Sequence, residues 1–251
     1  MKASGSTEGY CPMAWDYLGF GTFSGNANME QDRLLLEQFQ QGERFRPALR
    51  LYCWRPPTIS LGTNQVAAEV VNLSEAARLG YEVVARPTGG RALLHKGDLC
   101  YAIAADRRSH PSFRSLSSTY RAIGSAIAEV LRCLGIELTD LPATGNDSRK
   151  SLNPCFALLS PFEVTVGGRK ICGSAQFRSG DCFLQHGSLR VRDNWDQEDL
   201  SSIWPEGFAL SDSLVTSIDR ERQAVTNFAE VEKHFLAALR ICFQVQIAGR
   251  T

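Results

Sequence analysis

No run of about eighteen apolar residues occurs in the 251-residue chain, so the sequence predicts no helix that crosses a bilayer. Met1 to Tyr10 carries one lysine and no apolar core, which is not the pattern of a secretory signal, and a cytoplasmic setting is expected. An excess of either charge is also missing. Lys plus Arg and Asp plus Glu stand at 27 each, so no global field draws the protein to nucleic acid or to an anionic membrane. The eight cysteines, at 11, 53, 100, 133, 155, 172, 182 and 242, contain no CxxC pair. That scatter fits neither a disulfide framework nor a zinc ribbon, and no His/Cys/carboxylate group stands at metal-ligand spacing. No metal and no resident cofactor are expected.

What is present is an ordinary globular balance, 43% hydrophobic and 22% charged. The length suits one large α/β domain over residues 1–251. Asn28 reads as the N-cap of a helix through Met29, Leu34, Leu35 and Phe39, with Gly42 near its end, and Ser74 as the cap of a short helix closed by Gly80. Leu49–Trp54, Thr58–Leu61, Tyr81–Ala85 and Leu99–Ala104 read as strands. Leu116, Tyr120, Ile123, Ile127, Val130 or Leu131, and Leu134 recur at helical spacing in a helix that starts near Ser115 or Ser117. Phe162, Val164 and Val166 alternate, Gly167-Gly168 turns, and Arg169–Ser174 and Asp181–Leu189 continue a meander. Phe228–Phe243 closes the chain as a helix, with a short strand near Phe243–Ile247. Strands and helices mix without a βαβ rhythm, so the expected class is α/β (α+β), a mixed β-sheet with helices packed on it.

Reactive residue types concentrate in 86–98, 153–156 and 167–188. Arg86-Pro-Thr-Gly89-Gly90-Arg91 is a loop whose glycines let backbone amides approach a ligand, with arginine on both sides. On its own a two-glycine loop is weak evidence for a ligand site, and an ordinary tight turn with solvated arginines is the stronger reading. Cys155 lies in Asn153-Pro-Cys-Phe, where Pro154 restrains the backbone; Lys170 is the nearest candidate cation to raise its thiolate fraction. The other cysteines read as small buried hydrophobes. His95 and His186 are candidate bases, weighed against packed histidines; His110 and His234 rank below them.

Taken together these blocks resemble the biotinyl/lipoyl protein ligase and octanoyltransferase superfamily. Arg86-Pro-Thr-Gly-Gly-Arg-Ala-Leu-Leu-His95 with Gly97-Asp98-Leu99 is similar to its first signature. Gly168-Arg-Lys170-Ile-Cys-Gly-Ser-Ala-Gln176 with Leu184-Gln-His-Gly-Ser188 resembles the second, and the ordered blocks run from about 14 to 190. The block around Cys155 is similar to the active-site segment of LipM-type octanoyltransferases. The resemblance implies that Cys155 takes octanoyl from octanoyl-acyl-carrier protein and passes it to a lysine of a lipoyl domain, such as a glycine-cleavage H protein or a 2-oxoacid dehydrogenase E2. It implies Lys170 beside the thiol, and Arg86, Gly89, Gly90, Arg91, His95, Gly173, Ser174, Ala175, Gln176, His186 and Gly187 around the acyl site. Two positions depart: Ala85 replaces a frequent first arginine, and Leu99-Cys100-Tyr101-Ala102 replaces a more usual threonine and serine.

Three other readings stay open. An ATP- and Mg²⁺-dependent lipoate-protein ligase would use the Gly-rich loop and Lys170 on phosphates, without needing Cys155. An amidotransferase would move octanoyl or lipoyl between lipoyl domains through the same cysteine. A non-catalytic binder of lipoyl domains or acyl-carrier protein would have no need of either Cys155 or Lys170.

Overall fold

Residues 14–23 form the first strand, β1 (Ala14–Phe23), of a computed structural model that describes residues 13–138, 163–204 and 214–249. Helix α1 (Gly25–Gln40) follows at once, capped by Ser24, whose hydroxyl accepts from the Ala27 amide at 3.3 Å. Asn28 is therefore not the cap. It is buried inside α1, where its side chain donates to the Cys53 carbonyl at 3.1 Å and accepts from Arg50 at 2.7 Å.

Strands β2 (Ala48–Trp54) and β3 (Thr58–Leu61) come next, then the short helices α2 (Ala67–Val70) and α3 (Leu73–Arg78). Asn72, not Ser74, caps α3. Strands β4 (Glu82–Ala85), β5 (Leu93–His95) and β6 (Asp98–Asp106) lead to helix α4 (Leu116–Cys133). Ser115 and Ser118 satisfy each other's amides in a capping box at the start of α4. Leu116 is 48% exposed and falls outside the stripe, whereas Ile123, Ile127, Val130 and Leu131 are buried as the spacing predicts.

The meander is β7 (Val164–Val166), β8 (Arg169–Ser179) and β9 (Cys182–Arg190). Helices α5 (Gln197–Ile203), α6 (Ile218–Arg222) and α7 (Phe228–Phe243) and strand β10 (Gln246–Gly249) follow, and a single 3-10 turn at Pro111–Phe113 precedes α4.

A seven-stranded mixed sheet runs β10-β1-β2-β6-β9-β8-β7, beside a three-stranded sheet β4-β3-β5. Both pairings of β1 are parallel and the rest of the large sheet is antiparallel. Strand β6 is covered on both faces, which explains its continuous apolar run. Leu99, Tyr101 and Ile103 face the core shared with α4 and α7, while Cys100, Ala102 and Ala104 face α1 through Met29, Leu36 and Phe39. Where the α1 side meets the small sheet, a cleft is left open.

Candidate active site

That cleft encloses about 450 Å³ of atom-free space, open water at its mouth included. Met29, Tyr52, Trp54 and Leu93 give it apolar walls from α1, β2 and β5. Arg86 and Gly90 of the Gly-rich loop reach it from one side, and Gly173, Ser174 and Ala175 of β8 from the other. His95, Cys100, His186, Gly187 and Ser188 complete its polar lining with Ser60.

The sheet register explains this convergence. Cys100, Ser188 and Gly173 stand in one cross-strand row, and Ala102, His186 and Ala175 in the next row on the same face. Gly187 lies between Tyr101 and Ser174, and a Cβ there would sit 2.4 Å from the Tyr101 ring. The glycine lets the tyrosine hydroxyl pass to Ser174 Oγ at 2.7 Å.

Arg86 does not present its charge to the cleft in the way its flanking position suggests. It is buried, and its guanidinium donates to the carbonyls of Gly89 (2.9 Å), Arg91 (2.7 Å) and Ser60 (2.9 Å) and to Ser60 Oγ (3.1 Å). A fork of donors satisfying several carbonyls fixes the loop's shape. Gly90 adopts φ +94°, a conformation that favours glycine.

Two histidines stand behind this loop, each between a carboxylate and a hydroxyl. His186 Nδ1 meets Asp32 Oδ2 at 2.9 Å and its Nε2 meets Thr88 Oγ1 at 2.6 Å. Burial pushes His186 below the ordinary histidine range, outweighing the hydrogen bond to Asp32. A neutral ring with Asp32 as acceptor then donates from Nδ1 and accepts from the Thr88 hydroxyl at Nε2. Asp32 is held in turn by Arg50 at 2.6 Å and by the Tyr52 hydroxyl at 3.0 Å. Thr88 and Arg50 are site-shaping residues that the sequence reading missed. Their partners lie 98 and 18 residues away, beyond any local signal.

His95 stacks on Trp54 at 4.3 Å, with Nδ1 2.6 Å from Asp98 Oδ2 and Nε2 2.8 Å from Ser60 Oγ. Burial works to raise the Asp98 carboxyl, but His95, the Ser188 hydroxyl and the Cys100 thiol together hold it below its ordinary value. Cys100 is pushed well above the ordinary thiol range by burial and then by Asp98. Burial likewise takes Cys53 and Cys172 to about 12. Cys133, Cys182 and Cys242 are also raised by burial, so every cysteine among the described residues is held as a thiol. Cys155 lies outside the described residues.

Lys170 is fully buried at the start of β8, its ammonium donating to Glu163. Its own amide donates to the Leu214 carbonyl at 2.8 Å, and its carbonyl accepts from Thr216 N at 3.0 Å. Gly89, Arg91, Lys170 and Gln176 do not line the cleft. Gln176 is engaged elsewhere, donating to Gln185 at 2.7 Å and accepting from Arg178 at 2.6 Å. No metal cluster was expected from spacing, yet the fold brings His95, Asp98 and Cys100 together.

Residues 24–240 match the lipoyl protein ligase A/B catalytic domain family. The chain is 36% identical over 240 residues to an octanoyltransferase LipM of Carboxydothermus hydrogenoformans, covering 92% of this chain and 87% of that protein. Among solved structures it is similar to a lipoate-protein ligase A bound with ATP, at TM-score 0.72 and 22% identity, over 95% of this chain and 90% of that one. It is also similar to a bipartite lipoate protein ligase studied with its E2 lipoyl domain from Thermoplasma acidophilum, at TM-score 0.69 and 21% identity, over 96% and 88% of the two chains. These structures agree with the α/β mixed-sheet architecture found here.

Proposed function

The chain belongs to the lipoyl protein ligase A/B catalytic domain family, and from that premise we propose that it carries octanoyl on Cys155 between acyl-carrier protein and a lipoyl-domain lysine. The protein is an octanoyltransferase, an acyltransferase of lipoate biosynthesis. The proposal concerns the route. The Cys155 thiolate attacks the carbonyl of octanoyl-acyl-carrier protein, a new carbon–sulfur bond forms, and the carrier's thiol leaves. The acceptor amine then attacks the same carbonyl, a carbon–nitrogen bond forms, and Cys155 leaves as thiolate. A thioester is already activated, so neither step consumes ATP, and a covalent relay lets two bulky partners use one cleft in turn.

One observation carries this reading: an apolar cleft walled by Met29, Tyr52, Trp54 and Leu93, with backbone of the Gly-rich loop and Gly173 along its polar side. Each CH₂ of the chain buried there contributes ~0.8 kcal/mol, which suits selection by length. The thiols of the described residues are all held protonated, which is consistent with a nucleophile supplied by the 153–156 block. In this reading Lys170 favours the thiolate and the developing oxyanion. His95, His186 and the loop residues Arg86, Gly89, Gly90 and Arg91 shape the cleft around the acyl group. Both partners are soluble carrier proteins and the reaction is proposed for the cytoplasm. Among the described residues no helix is long and apolar enough to cross a membrane.

Incubation with octanoyl-acyl-carrier protein, without ATP, should add one octanoyl mass to the intact protein. Cys155→Ser should abolish that labile adduct. Octanoylation of a lipoyl domain that needs ATP and survives Cys155→Ser would assign the cleft to a ligase reaction instead.

A further inference from the structure

One wall of the cleft holds three groups that ligate metals, delivered by a single tight connection. His95 ends β5, and Asp98 and Cys100 begin β6. Gly97, at φ +82°, reverses the chain so that the imidazole folds back over the carboxylate. Ligand atoms of His95, Asp98 and Cys100 all lie within 4.8 Å of one another, and all three residues are buried. We propose that this trio binds one thiophilic divalent cation of the zinc type, and that the bound ion obstructs the acyl cleft.

The distances suit a tetrahedral face. With metal–ligand lengths of about 2.0–2.3 Å, neighbouring ligands of a tetrahedral ion stand about 3.4–3.6 Å apart. Cys100 Sγ lies 3.6 Å from His95 Nδ1 and 3.3 Å from Asp98 Oδ2. Only the His95–Asp98 edge, at 2.6 Å, has to open. Imidazole, thiolate and carboxylate together are a set that zinc prefers and that calcium or magnesium does not.

The surrounding hydrogen bonds are those a metal site needs. Ser60 Oγ stands 2.8 Å from His95 Nε2 and accepts a hydrogen bond from the Nε2–H once Nδ1 is given to the ion. The Trp54 indole donates to Cys100 Sγ at 3.1 Å and supports a thiolate there. Ser188 donates to Asp98 Oδ2. Asp98 Oδ1 is buried and has no hydrogen-bond partner among the described residues, leaving one lone-pair face that nothing else uses. Binding displaces the Cys100 proton to solvent, so carboxylate, thiolate and dication sum to a neutral site without any redox step.

His95 and Cys100 both line the cleft, so an ion held between them stands at the cleft wall that also includes Trp54. A hydrated dication there opposes entry of an alkyl chain. That consequence rests on the proposed acyl site, whereas the metal site itself does not.

Cobalt(II) titration of the full-length Cys155→Ser protein separates the two. A single equivalent should produce a sulfur-to-cobalt charge-transfer band and the visible bands of a four-coordinate ion, and zinc should bleach them. Cys100→Ser in the same background should remove the charge-transfer band, and Ser188→Ala should weaken binding by about 10-fold. Octahedral cobalt spectra, or a charge-transfer band that persists in folded Cys100→Ser protein, overturn the site. In wild-type protein, zinc should slow octanoyl transfer and a chelator should restore it. A cobalt signature without such inhibition keeps the metal site and rejects its obstruction of the cleft.

Discussion

Replacing Gly62 by alanine should cripple transfer although Gly62 does not itself line the cleft. Gly62 follows β3 and lies against the Gly-rich loop, and an ideal Cβ there would stand 2.0 Å from the Gly90 carbonyl oxygen and 2.8 Å from its carbon. Ordinary contact begins at 3.4 Å, so the loop must retreat by about 1.4 Å. The obstacle is backbone, and the carbonyls beside it are gripped by Arg86, so no side chain can simply swing away. Overpacking of this kind costs about 1–3 kcal/mol, and a displacement near 1 Å at a reacting centre costs on the order of 10²-fold in rate. Gly62→Ala should therefore form the octanoyl adduct about 100-fold more slowly and melt a few degrees lower. Gly89→Ala is the matched control, because among the described residues no atom beyond its chain neighbours lies within 4 Å of its added Cβ and its φ is not in the positive region. Its melting temperature should stay at the wild-type value, so any loss of rate reports a ligand brought against that amide. Wild-type adduct formation by Gly62→Ala would refute the claim that loop position controls the cleft.

Lys170→Ala removes the cation facing a buried carboxylate and should destabilise the fold by about 3–5 kcal/mol. Lys170→Ala/Glu163→Ala should regain much of that stability in denaturant titration yet still fail to form acyl-enzyme. Adduct formation at the wild-type rate in the double variant would remove Lys170 from the mechanism. His186 gives stability a defined pH dependence. Burial lowers its affinity for a proton, the Asp32 hydrogen bond opposes this, and the charges of Arg86 and His95 add to the lowering. Below the ordinary histidine value of 6.5 the unfolded chain takes up a proton that the folded one refuses, so stability falls with falling pH. The slope from His186 cannot exceed about 1.4 kcal/mol per pH unit. His186→Gln should flatten the acid limb of a thermal-melt series, and an unchanged limb would deny the buried neutral ring.

The parts of the fold legible in the sequence are those with an undisturbed period or a turn that carries its own signature. Helices α4 and α7 bury one stripe each, and Gly167-Gly168 marks its turn with two positive-φ glycines even though the register of β7 on β8 shifts between Val164 and Thr165. Strand β1 was not read because its register shifts between Tyr17 and Phe20, around Gly19 at φ +97°, which breaks the alternation. Strand β5 is three residues long, too short for any period. Asn28 imitates a cap because capping and buried hydrogen bonding call on the same side chain, and the arginine that claims it lies 22 residues away. The candidate site shows the same division. Arg86, Gly90, His95, Gly173, Ser174, Ala175, His186 and Gly187, drawn from two separate blocks of the sequence, all line the cleft. What those blocks did not convey is which charges are already spent: Arg86 on loop carbonyls, and Lys170 on Glu163.

The segment after residue 190, to which the sequence assigned no role, acts on the same lysine. Leu214 and Thr216 bracket the Lys170 peptide with one hydrogen bond on each side, forming a parallel bridge at Val215. Thr216 also donates to Glu221, which Arg169 meets at 2.7 Å, so the residue before the lysine is tied to α6 as well. Beyond α6, α7 packs on α4 and β10 extends the large sheet at β1. A buried ammonium stabilises developing negative charge only if it does not have to reorganise when that charge appears. Fixing the lysine backbone from a separate part of the chain, while Glu163 holds the side chain, makes the first residues of β8 rigid, which is what the role proposed for Lys170 requires. The C-terminal region is thus bound into the sheet whose other face carries the cleft, and it fixes the position of the Lys170 main chain.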